Sequence, residues 1–197
     1  MKRAMIIALA ILAAQVPSFA PAQPPSYNVL LAGGAASNMI HIWLTPDGRD
    51  YVIDSVVPLE VGGSICVNPE GNPNELICPA PAIAGFEVNA DGGDDKVSVS
   101  KGITIPVTMR GGSGRDQLLG GKGPDKLIGG SGDDRLVGWG GDDLLAGGTG
   151  DDVHLGGQGD DVIFSGPGDD IVRPGGGTNV VRKYHPDPGR PGAAGTS

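Results

Sequence analysis

From Gly111 the chain reads GGSGRDQLL (111–119), GGKGPDKLI (120–128), GGSGDDRLV (129–137), GWGGDDLLA (138–146), GGTGDDVHL (147–155), GGQGDDVIF (156–164) and SGPGDDIVR (165–173). A decayed unit, PGGGTNVVR, follows at 174–182, and an outlying copy, ADGGDDKVS, stands at 90–98. The period is nine, and every one of the seven contiguous units carries Asp at its sixth position. Up to three glycines in each turn segment make the turn possible, because Gly alone enters positive φ cheaply. The rest of each unit makes a minimal strand, with its central residue pointing to the opposite face from its neighbours. Those central residues are Leu118, Leu127, Leu136, Leu145, His154, Ile163, Val172 and Val181. One unit cannot bury its Leu alone; stacked units can, so stability must be collective.

The pattern G-G-x-G-x-D-x-U-x, with U a large apolar residue, resembles the hemolysin-type, or RTX, calcium-binding nonapeptide repeat. The resemblance implies an all-β fold: a parallel β-roll, or β-solenoid, with Ca²⁺ held in its turns. Successive strands of such a roll alternate between two sheets, so turns on one side recur at every second unit. Stacked strands lie about 4.8 Å apart. Two carboxylates at that spacing repel by about 1 kcal/mol in water and about 3–4 kcal/mol at an effective dielectric of 20. Repeated along both sides, that cost is large against a domain stability of about 5–15 kcal/mol. A stack of aspartates therefore calls for a cation between them, and Ca²⁺ accepts carboxylate and carbonyl oxygens in flexible numbers.

This two-unit rule pairs Asp116 with Asp134, Asp125 with Asp143, Asp134 with Asp152, Asp143 with Asp161 and Asp152 with Asp170. Five sites are expected from these seven candidate metal ligands. A sixth pairing, Asp161 with Asn179, lacks one charge and is expected to be weak. The fifth positions Asp133, Asp142, Asp151, Asp160 and Asp169 are further candidates. Arg115, Lys122 and Pro124 make the first two turns less acidic, and Trp139 stands where a second glycine is usual, so that turn is expected to be distorted or capped. His154 takes an inward position and reads as a tolerated or water-bridged core residue.

Composition agrees with this reading. Gly and Pro make up about 27 % of the 197 residues, more than twice the usual share of roughly 12 %. Such a chain cannot be an ordinary helical domain. It suggests disorder unless the glycines are periodic, and 23 of the 36 fall between Gly111 and Gly177. The formal charge of −9 argues against nucleic acid or an anionic membrane as partner. Ten Asp and one basic residue, Arg135, lie between Ser131 and Val172. No segment is long enough for a membrane span, and the sequence names no protein or glycan partner.

The segment 1–22 reads as a signal peptide: Met1-Lys2-Arg3, an apolar run from Ala4 to Ala14, then Ala20-Pro21-Ala22 as the cleavage site. The expected localisation is secreted. An oxidising compartment favours a Cys66–Cys78 disulfide worth roughly 2–3 kcal/mol; two buried free thiols are the alternative. The segment 23–110 reads as an N-terminal module of short β-strands that caps or extends the roll at 111–182. A disordered tail, 183–197, follows. Within the module, Met39 to Leu44, Asp50 to Val57, Ile83 to Val88, Lys96 to Val99 and Ile103 to Met109 are strand-like. Thr45-Pro46-Asp47-Gly48 is a turn, and the stretch 66–78 is loop-like.

Catalytic patterns do not emerge. H-E-x-x-H, G-x-S-x-G and G-x-x-x-x-G-K-[ST] are all missing, and His41, His154 and His185 have no ligand spacing to one another. The expectation is a calcium-binding protein that is not an enzyme. An adhesin-like surface module and a small secreted hydrolase carrying an RTX roll are the alternatives.

Overall fold

The structure is a computed structural model, and it describes residues 27–55, 60–62, 66–69 and 72–183. The expected signal peptide, and the expected tail 183–197 apart from Lys183, which ends the last strand, lie outside the described residues. Two eight-stranded sheets face each other. From its C-terminal end the first sheet runs Val180–Lys183 (β16), Val162–Gly166 (β14), Leu144–Thr149 (β12), Lys126–Ser131 (β10), Val107–Ser113 (β8), Ile83–Asn89 (β6), Tyr27–Ala32 (β1) and Glu60–Gly62 (β4). The second runs Ile171–Gly175 (β15), Val153–Gln158 (β13), Arg135–Gly140 (β11), Gln117–Leu119 (β9), Lys96–Val99 (β7), Met39–Leu44 (β2), Asp50–Ser55 (β3) and Glu75–Pro79 (β5). The fold is thus all-β, a parallel β-roll preceded by short strands.

Register follows the repeat period. Consecutive strands of one sheet are two units apart, so Lys126 pairs with Leu144, Leu144 with Val162, Arg135 with Val153 and Val153 with Ile171. The apolar U residues therefore stack in two columns between the sheets. Leu127, Leu145 and Ile163 form one, and Leu118, Leu136 and His154 the other; all six are fully buried. Both columns continue past the repeat. Met109 stacks on Leu127 and pairs with Val88, while Val97 stacks on Leu118 and pairs with Ile40. At the other end Val172 is only partly buried and Val181 is exposed, because among the described residues no further unit covers them.

The N-terminal strands depart from the all-parallel pattern. β2 and β3 form an antiparallel hairpin, and β3 pairs antiparallel with β5. The hairpin turn is closed by Gly48 N–H donating to the Thr45 carbonyl at 2.9 Å, with Gly48 at φ +71°. The 66–78 stretch is a loop only in part. Leu76 and Cys78 are buried on β5, and Cys66 is bridged to Cys78. Asn, Pro and Glu hid this strand, since the alternation that makes it one is very short. The strand read from Ile103 begins instead at Val107. Pro106 donates no N–H, and Ile103 closes a turn with its N–H on the Ser100 carbonyl at 3.0 Å.

Candidate metal centre

Each Asp at position six ends a glycine turn and precedes the buried U residue by two. That places its side chain inside the turn. Asp116, Asp125, Asp134, Asp143, Asp152 and Asp161 are all 3 % exposed or less, and Asp170, in the last turns, is half-buried. The structure brings together every pair that the two-unit rule names. The backbone N–H of Asp116 donates to Asp134 Oδ1 at 2.8 Å, that of Asp134 to Asp152 Oδ1 at 2.8 Å, and that of Asp152 to Asp170 Oδ1 at 3.1 Å. On the opposite side Asp125 donates to Asp143 at 2.8 Å, Asp143 to Asp161 at 3.0 Å, and Asp161 to Asn179 Oδ1 at 2.8 Å.

Only half of each carboxylate is thereby satisfied. The Oδ2 atoms of Asp116, Asp134, Asp143, Asp152 and Asp161 are buried and meet no donor. Asp125 differs, its Oδ2 accepting from Gly121 N–H at 2.6 Å. Burial pushes these groups up from the ordinary carboxylate value: Asp125 and Asp152 to about 6, Asp134 to about 7 and Asp143 to about 8. Neighbouring carboxylates add to the effect at Asp134 and Asp143. Asp116 and Asp161 are raised for the same reason. A buried anion with an idle oxygen is costly unless something positive faces it.

Backbone oxygens converge on the same places. A Cβ added to Gly129 would collide with Asp134 Oδ2 and meet the Gly147 carbonyl oxygen at 2.5 Å; one on Gly138 would collide with Asp143 Oδ2 and meet the Gly156 carbonyl at 2.5 Å. Any side chain there would fill the space that the oxygens face. Among the described residues no three His, Cys, Asp or Glu side chains gather round one point. The donor set is therefore carboxylate plus carbonyl oxygen, which fits a hard cation and not a thiolate- or imidazole-seeking metal. His154 is fully buried between Leu136 and Val172 with both ring nitrogens unpartnered, and burial pushes its pKa down, so it is neutral there.

The fifth-position aspartates form a second, outer ladder. Asp133, Asp142, Asp151 and Asp160 accept from the N–H groups of Asp151, Asp160, Asp169 and Thr178 at 2.7–3.0 Å, and all four are exposed. The outer ladder donates from the later unit to the earlier one, the inner ladder from the earlier to the later. From Asp133 onward, two opposed sets of bonds thus lock a turn to the next turn on its own side of the roll.

Residues 110–145 and 146–181 match the family model for the RTX calcium-binding nonapeptide repeat (4 copies). Residues 110–181 are RTX-type repeats. Calcium is the ion that such repeats bind, and the oxygen-only donor set agrees with it. No curated protein and no solved structure matches the chain.

The RTX geometry extends beyond the matched segments. Asp95 is 2 % exposed, its N–H donates to Asp116 Oδ1 at 2.8 Å, and its own Oδ2 is unpartnered. Burial raises it to about 6. Its signal was the outlying copy at 90–98, which the insert before Gly111 sets out of the regular spacing. Asn38 precedes it in the same column and was missed outright. Its N–H donates to Asp95 Oδ1 at 2.6 Å, and its amide Nδ2 donates to Asp95 Oδ1 and to the Gly34 and Ala90 carbonyls at 3.0–3.2 Å. The stretch 33–41, GGAASNMIH, is in effect a degenerate nonapeptide with Asn at position six and Ile40 at the U position. There an amide N–H₂ stands where the later coils present a bare carboxylate oxygen.

Proposed function

We propose that the protein is a secreted, non-catalytic calcium-binding module whose roll folds on binding the ion. Asp116, Asp125, Asp134, Asp143, Asp152, Asp161 and Asp170 are its ligands, taken in pairs two units apart, and Asp95 with Asp116 adds a site at the base of the roll. The observation that carries this reading is the row of buried Oδ2 atoms without a donor. Each such group costs about 1–3 kcal/mol when left unsatisfied. Several together match the whole stability of a typical domain, about 5–15 kcal/mol. The bound ion supplies positive charge to the idle oxygens. The chain's own part is to hold those oxygens in place through the N–H···Oδ1 ladder and to keep space beside them with glycine. Folding then depends on the metal, and sites of the roughly 10⁻⁴–10⁻³ M class are sufficient at extracellular calcium levels.

The proposed organisation is a cleaved leader (1–22), a base (23–110) and the roll (111–182). The leader's charged, apolar and small-residue pattern supports export. Among the described residues no helix is long and apolar enough to cross a membrane. An adhesin-like role at a surface fits the same architecture. Calorimetry and circular dichroism on chelator-treated protein test the proposal. Saturable calcium uptake at several equivalents per chain, with a gain of β signal, is expected. An unchanged spectrum with no heat of binding overturns it.

A further inference from the structure

The roll breaks its own pattern at one turn. In the unit 138–146 the order is G-W-G-G, so that a tryptophan takes the second position and a glycine the third. Second positions of the neighbouring units lie at positive φ, as in Gly130 and Gly148, and Trp139 is held there too, at φ +75°. That conformation is costly for a bulky residue and tends to persist where a site requires it. Its indole remains 39 % exposed. On this side of the roll, third positions stack as Lys122, Gly140 and Gln158. The missing side chain at Gly140 opens a gap between the other two. The result is a cleft of about 350 Å³ lined by Lys101, Lys122, Trp139, Gly140, Gly141 and Gln158.

Charge gathers there against the sign of the whole chain. Lys101 comes from the insert that separates the outlying repeat from the rest, and its Nζ lies 3.5 Å from the Trp139 ring centroid. The insert is pinned to the turn by Lys122 N–H donating to the Ile103 carbonyl at 2.7 Å. Both lysines are exposed. Among the described residues the ion pairs are Arg49–Asp47, Arg110–Glu87 and Arg115–Asp133, so neither lysine has a carboxylate partner. Asp142, next to Gly141, is tied into the outer ladder by Asp160 N–H at 2.8 Å. Its charge leaves room for one negative group near the two ammoniums but disfavours a multiply charged phosphate.

From this geometry we infer that the cleft binds a carboxylate-bearing sugar, a hexuronate unit of an acidic glycan. Lys101 Nζ covers one face of the indole, so the C–H face of a pyranose suits the bare glycine floor beside the ring. Its carboxylate suits the two unpaired ammoniums, and its hydroxyls the Gln158 amide. The inference goes beyond calcium binding and requires only that the roll be folded.

The test uses the calcium-loaded chain carrying Trp43→Phe, which leaves Trp139 as its single indole reporter. Trigalacturonate, maltotriose, triglutamate and AMP are titrated at clamped free calcium. Expected is saturable quenching by trigalacturonate, about tenfold or more tighter than by maltotriose, and tighter than by triglutamate or AMP. Lys101→Gln with Lys122→Gln is expected to abolish the preference for the acidic sugar. In calorimetry, Trp139→Gly, which restores the repeat, is expected to remove binding while leaving the calcium-dependent β signal intact. Gly140→Gln fills the gap with little strain, since the nearest atom to a Cβ there is at 3.6 Å, and is expected to do the same. Equal affinity for the neutral sugar, preference for the peptide or nucleotide, no binding, or binding that survives Trp139→Gly through calcium elsewhere on the roll would each overturn the proposal.

Discussion

Asp143 shows the roll's logic in a single residue. It stands between Asp125 and Asp161, its Oδ2 is idle, and burial, with the charges of Asp125, Asp161 and Asp142, raises it to about 8. On the proposed ligand role, Asp143→Asn removes a charge that hurts the metal-free fold and helps the metal-bound one. The expected outcome is a change of sign: destabilisation by about 1–3 kcal/mol in saturating calcium and stabilisation in chelator, read as opposite shifts in Tm. The same physics gives a pH dependence. In chelated protein the folded state holds protons on Asp125, Asp152, Asp134 and Asp143 up to pH values of about 6, 6, 7 and 8. The unfolded chain releases them near pH 4. Raised folded pKa values make this stability complete below about pH 4 and progressively lost as pH rises to about 8. His154 opposes the trend, since its lowered pKa costs stability as pH falls through about 6.5, but it is one group against several. Chelated protein is therefore expected to gain β signal on acidification from about pH 8 to about pH 5. A flat or inverted profile by circular dichroism would show that the buried carboxylates do not govern the fold.

At the scale of the element, each coil contributes one apolar residue and one turn, so stability is a sum over neighbours. Leu136 is fully buried between Leu118 and His154, while Val181 at the end is 37 % exposed. Leu136→Ala is expected to cost about 2–5 kcal/mol in calcium, against less than about 0.5 kcal/mol for Val181→Ala, compared by chemical denaturation. These coils were legible because the period and the sixth-position Asp hold in all seven contiguous units, and turn glycine and apolar U residue in most of them. Strand β5 was not, since Asn, Pro and Glu obscure its short alternation. The coil at 33–41 was hidden for a different reason. Ala36 and Asn38 replace the two residues that mark the repeat, although Asn38 keeps the same hydrogen bond to the next coil. Trp139 was expected to distort or cap its turn. Instead the backbone keeps the left-handed conformation of the glycine it replaces, and the departure appears as a cleft beside it.

The molecule as a whole has two kinds of coil in one continuous pair of sheets. The base holds wide packing: Tyr51 and Phe86 meet edge to face at 5.1 Å, Ile42 and Ile53 pair across the β2–β3 hairpin, and Cys66 is bridged to Cys78. Its first carboxylate column begins at Asn38, whose amide donates to Asp95 Oδ1 and leaves only Asp95 Oδ2 without a donor. The roll from Gly111 onward has one U residue per coil and idle carboxylates on both sides. Cooperativity between stacked coils falls where the interface energy falls. Removal of calcium is thus expected to unravel the roll from its exposed C-terminal end, where Val172 and Val181 lack cover, and to stop near the coil at 90–98. Hydrogen exchange in chelator would then show slow amides in β2, β3 and β6 and fast ones from β11 to β16, with calcium restoring protection to the latter. Loss of protection across both halves at one calcium concentration would mean that base and roll fold as a single unit, and that the Asn38 amide does not make the base independent of the metal.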